Sequence, residues 1–368
     1  MHSRIVNTTV DIIDWLRSRH GPVLIVELDI ENFDALRDYL TAKGYLQSGD
    51  AMSLQKLHGG VSNRTVKIAW PDGHGWVLKQ ALAKLRVNVD WFSSPERIAV
   101  ESKALRWLNR MAPPGTTPAF IFEDMQHHLM AMEAIPEEHE NWKSILLSGR
   151  IVMNHFEQFG LLLGAIHGRS SEAGREFRRE FADTTYFENL RLEPYYLYTA
   201  QKVSESAMFL DTLAQETLRH KNCLVHGDFS PKNTLIFRSK LILLDYEVVH
   251  FGDPAFDVGF ALTHFLSKAH HLTKERARLA SATELFWQAY REEVVRLDWA
   301  GTLEPRIVRH TLGCLLARVA GKSPLEYLTP VEKARQRDIV LTLIVKPPTN
   351  VPDLITEFVY RIETYAQN

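Results

Sequence analysis

The chain has 368 residues, 45% of them hydrophobic and 24% charged, with a formal net charge of −2. That length supports one large core or two lobes. The near-neutral charge excludes a general attraction to nucleic acid or acidic membranes, and no apolar run approaches the ~20 residues that span a bilayer.

In chain order, Met1-His-Ser-Arg-Ile-Val-Asn7 lacks the apolar stretch of a secretory signal. With Cys223 and Cys314 the only cysteines, the expectation is a reducing cytoplasm and no disulfide framework. Residues 1–50 read as a helical packing extension. Helix patterns cover Thr8–Arg19 and Glu31–Lys43, and the apolar run Val23–Val26 suits a short strand. Residues 51–135 are β-rich, with strands expected over Met52–Leu57, Thr65–Trp70 and Trp76–Gln80. In the turn His58–Asn63, Gly59 and Gly60 permit close approach of the backbone to a ligand. Ser62 and Asn63 add polar contacts. The turn does not have the Gly-x-x-x-x-Gly-Lys-Ser/Thr pattern of a P-loop.

Lys79 stands inside an apolar strand, where an unpaired ammonium is costly. Ser94-Pro95 predicts a helix start, with Ser94 as N-cap and Pro95 at the first position. Ile98, Glu101, Leu105 and Leu108 then share one face, so Glu101 also needs a partner. A Lys79–Glu101 ion pair satisfies both, whereas Glu96 falls off the stripe. The competing reading has Lys79 snorkelling at a strand edge and Glu101 in solvent. Phe120–Asp124 and Leu129–Glu133 form a second expected hairpin, left through the extended connector Ala134-Ile-Pro136.

Residues 136–368 read as a larger helical part. In Ile151–His167 the stripe Val152, Phe156, Phe159, Leu163 and Ile166 is expected in the core. Between Arg169 and Glu193, five arginines face six acidic residues, so no acidic trap for a polycation is evident. The segment Leu224-Val-His-Gly-Asp-Phe-Ser-Pro-Lys-Asn233 places Asp228 five residues before Asn233. Thr234–Phe237 and Leu241–Leu244, around Arg238-Ser239-Lys240, predict a hairpin that returns Asp245 beside Asn233. Phosphoryl transfer from a nucleotide needs such a set: a carboxylate to orient and deprotonate a hydroxyl, and two oxygen ligands for Mg²⁺. Lys79 would hold the α/β-phosphates of ATP. The connector, at the position where adenine is read, assigns that task to the Glu133 carbonyl and the Ile135 amide, with Met132 behind them. The pairs His127-His128 and His270-His271 point apart and read as solvated residues rather than metal ligands.

Leu224–Asn233, Leu243–Glu247 and Gly252-Asp-Pro-Ala-Phe-Asp257 resemble the catalytic core of the aminoglycoside phosphotransferase family. Lys79–Arg86, continuing through Ser94-Pro-Glu-Arg97 and Glu101, is similar to the corresponding stretch of methylthioribose kinases. At Asn233 the chain departs from those kinases. The resemblance, over roughly residues 50–345, implies an α+β, protein-kinase-like bilobal fold. It also implies Asp228 as catalytic base, Asn233 and Asp245 as metal ligands, and Lys79 with Glu101 as the phosphate-positioning pair. His226 would brace the loop and Asp257 would tie down its backbone. Ser230 stands where protein kinases usually carry lysine, which turns the reading from a protein substrate to a small hydroxylated one. The implied activity is ATP- and Mg²⁺-dependent phosphorylation of a sugar-like metabolite, methylthioribose among the candidates, with no nucleic-acid or membrane partner. The rival readings are an aminoglycoside-resistance phosphotransferase and a catalytically inactive nucleotide-binding regulator. For the acceptor, Arg191, Tyr195, Tyr196 and the stretch Arg306–Arg318, with Arg306, Arg309 and Arg318, supply polar reach and aromatic area.

Overall fold

The structure is a computed structural model and describes residues 28–47, 49–57, 62–86 and 91–365. The expected helix Thr8–Arg19, the expected strand Val23–Val26 and the glycine pair Gly59-Gly60 lie outside the described residues. The chain divides into two units at Asp50. In the first, helix α1 (Phe33–Ala42) starts at Asn32, whose side chain accepts the Ala35 amide at 3.1 Å and so satisfies one orphan donor.

The second unit opens with five antiparallel strands: β1 (Ser53–Lys56), β2 (Asn63–Ala69), β3 (Gly75–Ala81), β4 (Phe120–Asp124) and β5 (Leu129–Glu133). Their spatial order is β1-β2-β3-β5-β4, so β3 lies at the centre, bonded on both edges. Helix α2 (Arg97–Met111) is inserted between β3 and β4, and its stripe Ile98, Glu101, Leu105 and Leu108 is buried as the spacing predicts. Its start differs from expectation. Ser94 Oγ accepts the Glu96 amide at 3.3 Å, capping a turn through Pro95, and the helix begins two residues later without a side-chain cap.

The helical remainder packs α4 (Met153–Ser171) along α7 (Arg276–Val294), and α6 (Pro254–His271) on α7 and α8 (Leu303–Ala320), with α3 (Trp142–Leu147), α5 (Ala207–Arg219), α9 (Pro330–Val345) and α10 (Val351–Tyr365) completing it. Phe156, Phe159, Leu163 and Ile166 are buried here, with Trp142, Phe265 and Phe286 edge-on or tilted against them. Val152 is 42% exposed, because the helix starts one residue after it and it sits on the incoming chain. His270 is buried against Gln336 and His271 pairs with Glu332, so this pair is not solvated as expected. Cys223 and Cys314 are buried and free. No helix among the described residues is long and apolar enough to cross a membrane.

Two small ladders position the motif segment. Strand β7 (Cys223–Val225) pairs with β10 (His250–Gly252), setting Val225 opposite His250. Strands β8 (Thr234–Phe237) and β9 (Lys240–Leu243) form the expected hairpin, with β6 (Glu140–Asn141) added to β8. Its two-residue turn puts Arg238 at φ 48° and Ser239 at φ 64°, both left-handed, the twist that joins antiparallel strands most tightly.

Candidate active site

The loop after β7 is held by side chains rather than by a ladder. Asp257, in the first turn of α6, accepts the His226 amide at 2.6 Å and the Gly227 amide at 2.7 Å. His167 Nε2 donates to the same carboxylate at 3.2 Å, and His167 Nδ1 takes the Tyr290 hydroxyl at 3.0 Å. Within the loop the Asp228 amide donates to His226 Nδ1 at 3.1 Å, which leaves Nε2 to donate to the Leu244 carbonyl, also at 3.1 Å. That network assigns a neutral ring with its proton on Nε2. Burial also lowers the ring's affinity for a second proton, against the pull of Asp257 and Asp228. Gly227 is required between them. Its φ is +77°, and a Cβ there would lie 2.8 Å from the Val248 side chain.

So fixed, Asp228 is buried and its Oδ2 meets Arg191 Nη2 at 2.8 Å. Burial pushes its carboxyl up, but Arg191, then Lys232 and Arg318, outweigh that and hold it below the usual carboxylate range. Arg191 comes from a π-helix, Glu188–Leu197, and its Nε donates to the Gly227 carbonyl at 2.8 Å. One guanidinium therefore anchors both the loop backbone and the Asp228 carboxylate.

Asn233 closes the short turn before β8. Its Nδ2 donates to the Asp228 carbonyl at 3.1 Å, which turns the amide oxygen away from that bond. At the far end of the hairpin Asp245 takes φ +71°, a strained backbone for a residue with a side chain. The Leu244 amide bonds the Asn233 carbonyl at 2.9 Å, so the two hairpin ends do meet.

Lys79 reaches across from β3. Its ammonium lies 2.5 Å from Glu101 Oε1 and 2.7 Å from Asp245 Oδ1. Burial disfavours the charged lysine, yet Asp245 and Glu101 together raise its affinity for the proton. One ammonium cannot compensate two carboxylates fully. Asp245, with its side chain 23% exposed, keeps solvent and the stronger pull of Lys79 and stays well below the usual range. Glu101 is deeper, its Oε2 has no hydrogen-bond partner among the described residues, and burial pushes its carboxyl up to about 7.

Two cavities adjoin here. The larger, about 740 Å³, is lined by Asn63, Lys79, Met132, Glu133, Asn233 and Asp245 among others. At its edge the Glu133 and Ala134 amides are already used, by Ala119 at 2.8 Å and Gly75 at 2.9 Å. Ile135 also lines this cavity, and its amide makes no backbone hydrogen bond among the described residues. The smaller cavity, about 300 Å³, holds Asp228, Arg191, Tyr195 and Arg318. Ser62, Lys143, Lys232, Asp245 and Glu326 line both. Glu101 stands behind Lys79 and lines neither. Of the other acceptor candidates, Tyr196 is buried on His310 at 2.7 Å, Arg306 pairs with Asp253 at 3.0 Å, and Arg309 pairs with Glu216.

Several members of the site gave no separate signal in sequence. Arg97 is fully buried, and its Nε meets Glu247 at 3.1 Å while its Nη1 donates to the carbonyls of Leu82, Ser93 and Ser94 and its Nη2 to that of Ser62. This clamp fixes the chain on either side of Lys79 and Asp245. Its two ends are 150 positions apart, and only a charged residue in the helix's first turn hinted at it. Lys232 lies between Asp228 and Asn233 but reads as an ordinary surface lysine.

The family model of the phosphotransferase enzyme family matches residues 53–298. A methylthioribose kinase from Cronobacter sakazakii is 25% identical over 257 residues, 62% of this chain and 63% of that protein. The chain thus spans less than two thirds of that relative's length. A second, from Pectobacterium atrosepticum, is 22% identical over 300 residues, 72% of this chain and 74% of its own. Among solved structures, an amicoumacin kinase in complex with AMP-PNP, Ca²⁺ and Ami superposes with a TM-score of 0.56 at 17% identity, covering 87% of this chain and 96% of that one. A choline/ethanolamine kinase family protein from Mesorhizobium loti gives 0.51 at 14% identity, covering 90% and 99%. At those identities the two structures share the fold alone, a kinase-like arrangement of strands followed by helices.

Proposed function

The chain belongs to the phosphotransferase enzyme family, and on that premise we propose that it transfers the γ-phosphoryl group of ATP to a hydroxyl of a small molecule. The observation that supports this best is the pair of adjoining cavities, with Asp228 in one, Lys79 in the other and Asp245 on the boundary between them. ATP occupies the larger, its adenine against Met132 with the Ile135 amide as donor, and its phosphates toward Lys79 and Asp245. Asn63, at the start of β2, and Ser62 just before it are polar groups on the wall of that cavity. The acceptor occupies the smaller, where Asp228 orients its hydroxyl in line with the γ-phosphoryl group and takes the proton. A carboxylate held below the usual range is a weak base, which suits a loose transition state in which proton transfer is late and positioning dominates.

The donor set fits Mg²⁺. Asn233 offers a carbonyl oxygen and Asp245 a carboxylate, whose ion pair with Lys79 engages Oδ1. Among the described residues no group of three or more His, Cys, Asp or Glu could hold a metal ion. Two oxygen ligands, with phosphate oxygens and water completing the shell, are how this cation is usually held. When bound it neutralises charge on the β- and γ-phosphates. The acceptor class is a sugar or comparable polyol in preference to a kanamycin-like polycation. Two relatives named methylthioribose kinases support it, as do the arginines of the smaller cavity.

Calorimetric titration with ATP, with and without Mg²⁺, tests the nucleotide half, and a turnover screen of sugars, amino alcohols and aminoglycosides tests the acceptor half. Binding that needs Mg²⁺ and turnover of a polyol are expected. Equal ATP affinity in both conditions counts against Asn233 and Asp245 as ligands, and turnover of an aminoglycoside alone overturns the acceptor class.

A further inference from the structure

The charge balance of the smaller cavity narrows the acceptor further. Four acids line it, and each has a basic partner: Asp228 with Arg191, Asp245 with Lys79, Glu247 with Arg97, and Glu326 with Lys143. Two cations on the wall remain, Lys232 and Arg318. Lys232 also lines the larger cavity, where phosphates would meet it. Arg318 lines the smaller one only.

Arg318 is 7% exposed, yet its nitrogens find no carboxylate among the described residues. Nη1 donates to the Ser323 carbonyl at 2.8 Å and its hydroxyl at 3.2 Å, Nη2 meets His264 Nε2 at 3.2 Å, and Nε has no partner. A buried guanidinium with no carboxylate in hydrogen-bond reach, and only the longer-range pull of Asp228 and Glu326, is costly, because it cannot shed its proton as a lysine or histidine can. It is held in orientation by the rings of Tyr195 and Phe260, 5.0 and 5.3 Å away. The layer behind it adds positive character rather than cancelling it. His264 accepts from Arg318, and its own carbonyl takes the buried Lys268 ammonium at 3.2 Å. Lys268 makes no ion pair among the described residues and sits over the Tyr327 ring at 5.3 Å. Burial lowers its hold on the proton to about 7, which limits but does not abolish that charge.

We propose that the acceptor carries an oxyanion, a carboxylate or a phosphate monoester, at the end remote from the hydroxyl that is phosphorylated, and that Arg318 is its counter-ion. This rests on the reading of the smaller cavity as the acceptor site and names the chemistry of what enters it. At about 300 Å³ the cavity is at the low end for small-molecule sites, which suits a sugar acid or sugar phosphate rather than a multi-ring antibiotic.

Matched probes decide it: D-ribose, D-ribonate and D-ribose 5-phosphate, each titrated into the nucleotide-free protein by calorimetry and then assayed with Mg²⁺-ATP. At least one of the two anions is expected to bind about tenfold or more tighter than ribose, and Arg318→Gln should erase most of that preference. Ribonate against ribose 5-phosphate identifies the source of the oxyanion. Arg318→Lys retains the charge and should retain part of the preference. A role limited to clamping the Ser323 turn would weaken all three probes alike or leave them unchanged. Equal or tighter binding of ribose, or no binding by either anion, overturns the proposal. Because the titrations contain no nucleotide, anion binding without turnover would instead indict the kinase reading. The wild-type comparison stands even where a variant at Arg318 does not fold.

Discussion

The two cavities are built on opposite electrostatic plans. Around the larger, the ammonium of Lys79 is shared by the buried Glu101 and the partly exposed Asp245, so anions beside it outnumber cations until something positive arrives. Around the smaller, each carboxylate has a basic partner, though Asp245 shares its own with Glu101, and Lys232 and the buried Arg318 guanidinium are left over. The first arrangement suits a site that takes a metal cation together with phosphates, and the second suits a site that takes an anion. The same low-dielectric interior that makes an unpaired charge costly also makes the pairing strong once the ligand supplies it.

The largest expected effect tests whether the two cavities are functionally separate. Asp228 lines the smaller cavity and not the larger. Asp228→Asn keeps its shape and removes the base, so turnover should fall by about 10²–10⁴ while ATP affinity is nearly unchanged. Steady-state kinetics beside an ATP titration checks it. If ATP affinity collapses along with turnover, Asp228 serves the nucleotide or the metal, and the division is wrong.

Acid and base should separate the two plans as well. On the helical side burial holds His250 and His310 at about 4, from an ordinary value of 6.5. A base whose pKa is depressed by folding contributes stability above its unfolded pKa and loses it as pH falls. The native protein should therefore weaken between about pH 6.5 and 4, by roughly 3 kcal/mol for each such histidine at full protonation. Glu101 works the other way. Its carboxyl is raised to about 7 by burial, so its contribution falls as pH rises from 4.5 toward 7. Two buried histidines outweigh one carboxyl that Lys79 partly compensates, and net stability should rise with pH through this window. Denaturant melts from pH 4 to 8 measure the slope. In Glu101→Gln the rise should be steeper, and a flat profile in the unmodified protein would show that the histidines are not held neutral.

The larger cavity was far more legible in sequence than the smaller. Its Asn233 and Asp245 fall within 18 consecutive positions together with Asp228 of the smaller cavity, and the hairpin between Asn233 and Asp245 announces itself by two apolar runs around a polar turn. Lys79 and Glu101 were readable because each is a charge in an apolar pattern, a local contradiction that only a partner resolves. The rest of the smaller cavity has no such compactness. It gathers Trp91, Arg191, Tyr195, His264, Arg318 and Leu325, which no spacing rule connects. Buried arginines there look like surface arginines in sequence, since both occur on helices with polar neighbours. Likewise Val152 and Ser94 sat within two residues of their expected roles and missed them, because helix ends depend on the entering chain more than on the residue itself.

The smallest expected effect is the sharpest test of that last point. Arg306, Arg309 and Arg318 share helix α8 and were indistinguishable as acceptor candidates. The structure separates them. Arg306 is occupied by Asp253 at the start of α6, Arg309 by Glu216 on α5, and Arg318 alone lines the smaller cavity. The Arg309–Glu216 pair is partly solvated, and pairs of that kind contribute about 0.2–1 kcal/mol. Arg309→Gln should therefore shift stability by no more than that and leave acceptor affinity, ATP affinity and turnover as they were. Arg318→Gln, nine positions along the same helix, should change the choice between anionic and neutral acceptors. Equal consequences from the two substitutions would mean that the net charge of the helix attracts the acceptor. Unequal ones would mean that a single buried guanidinium selects it.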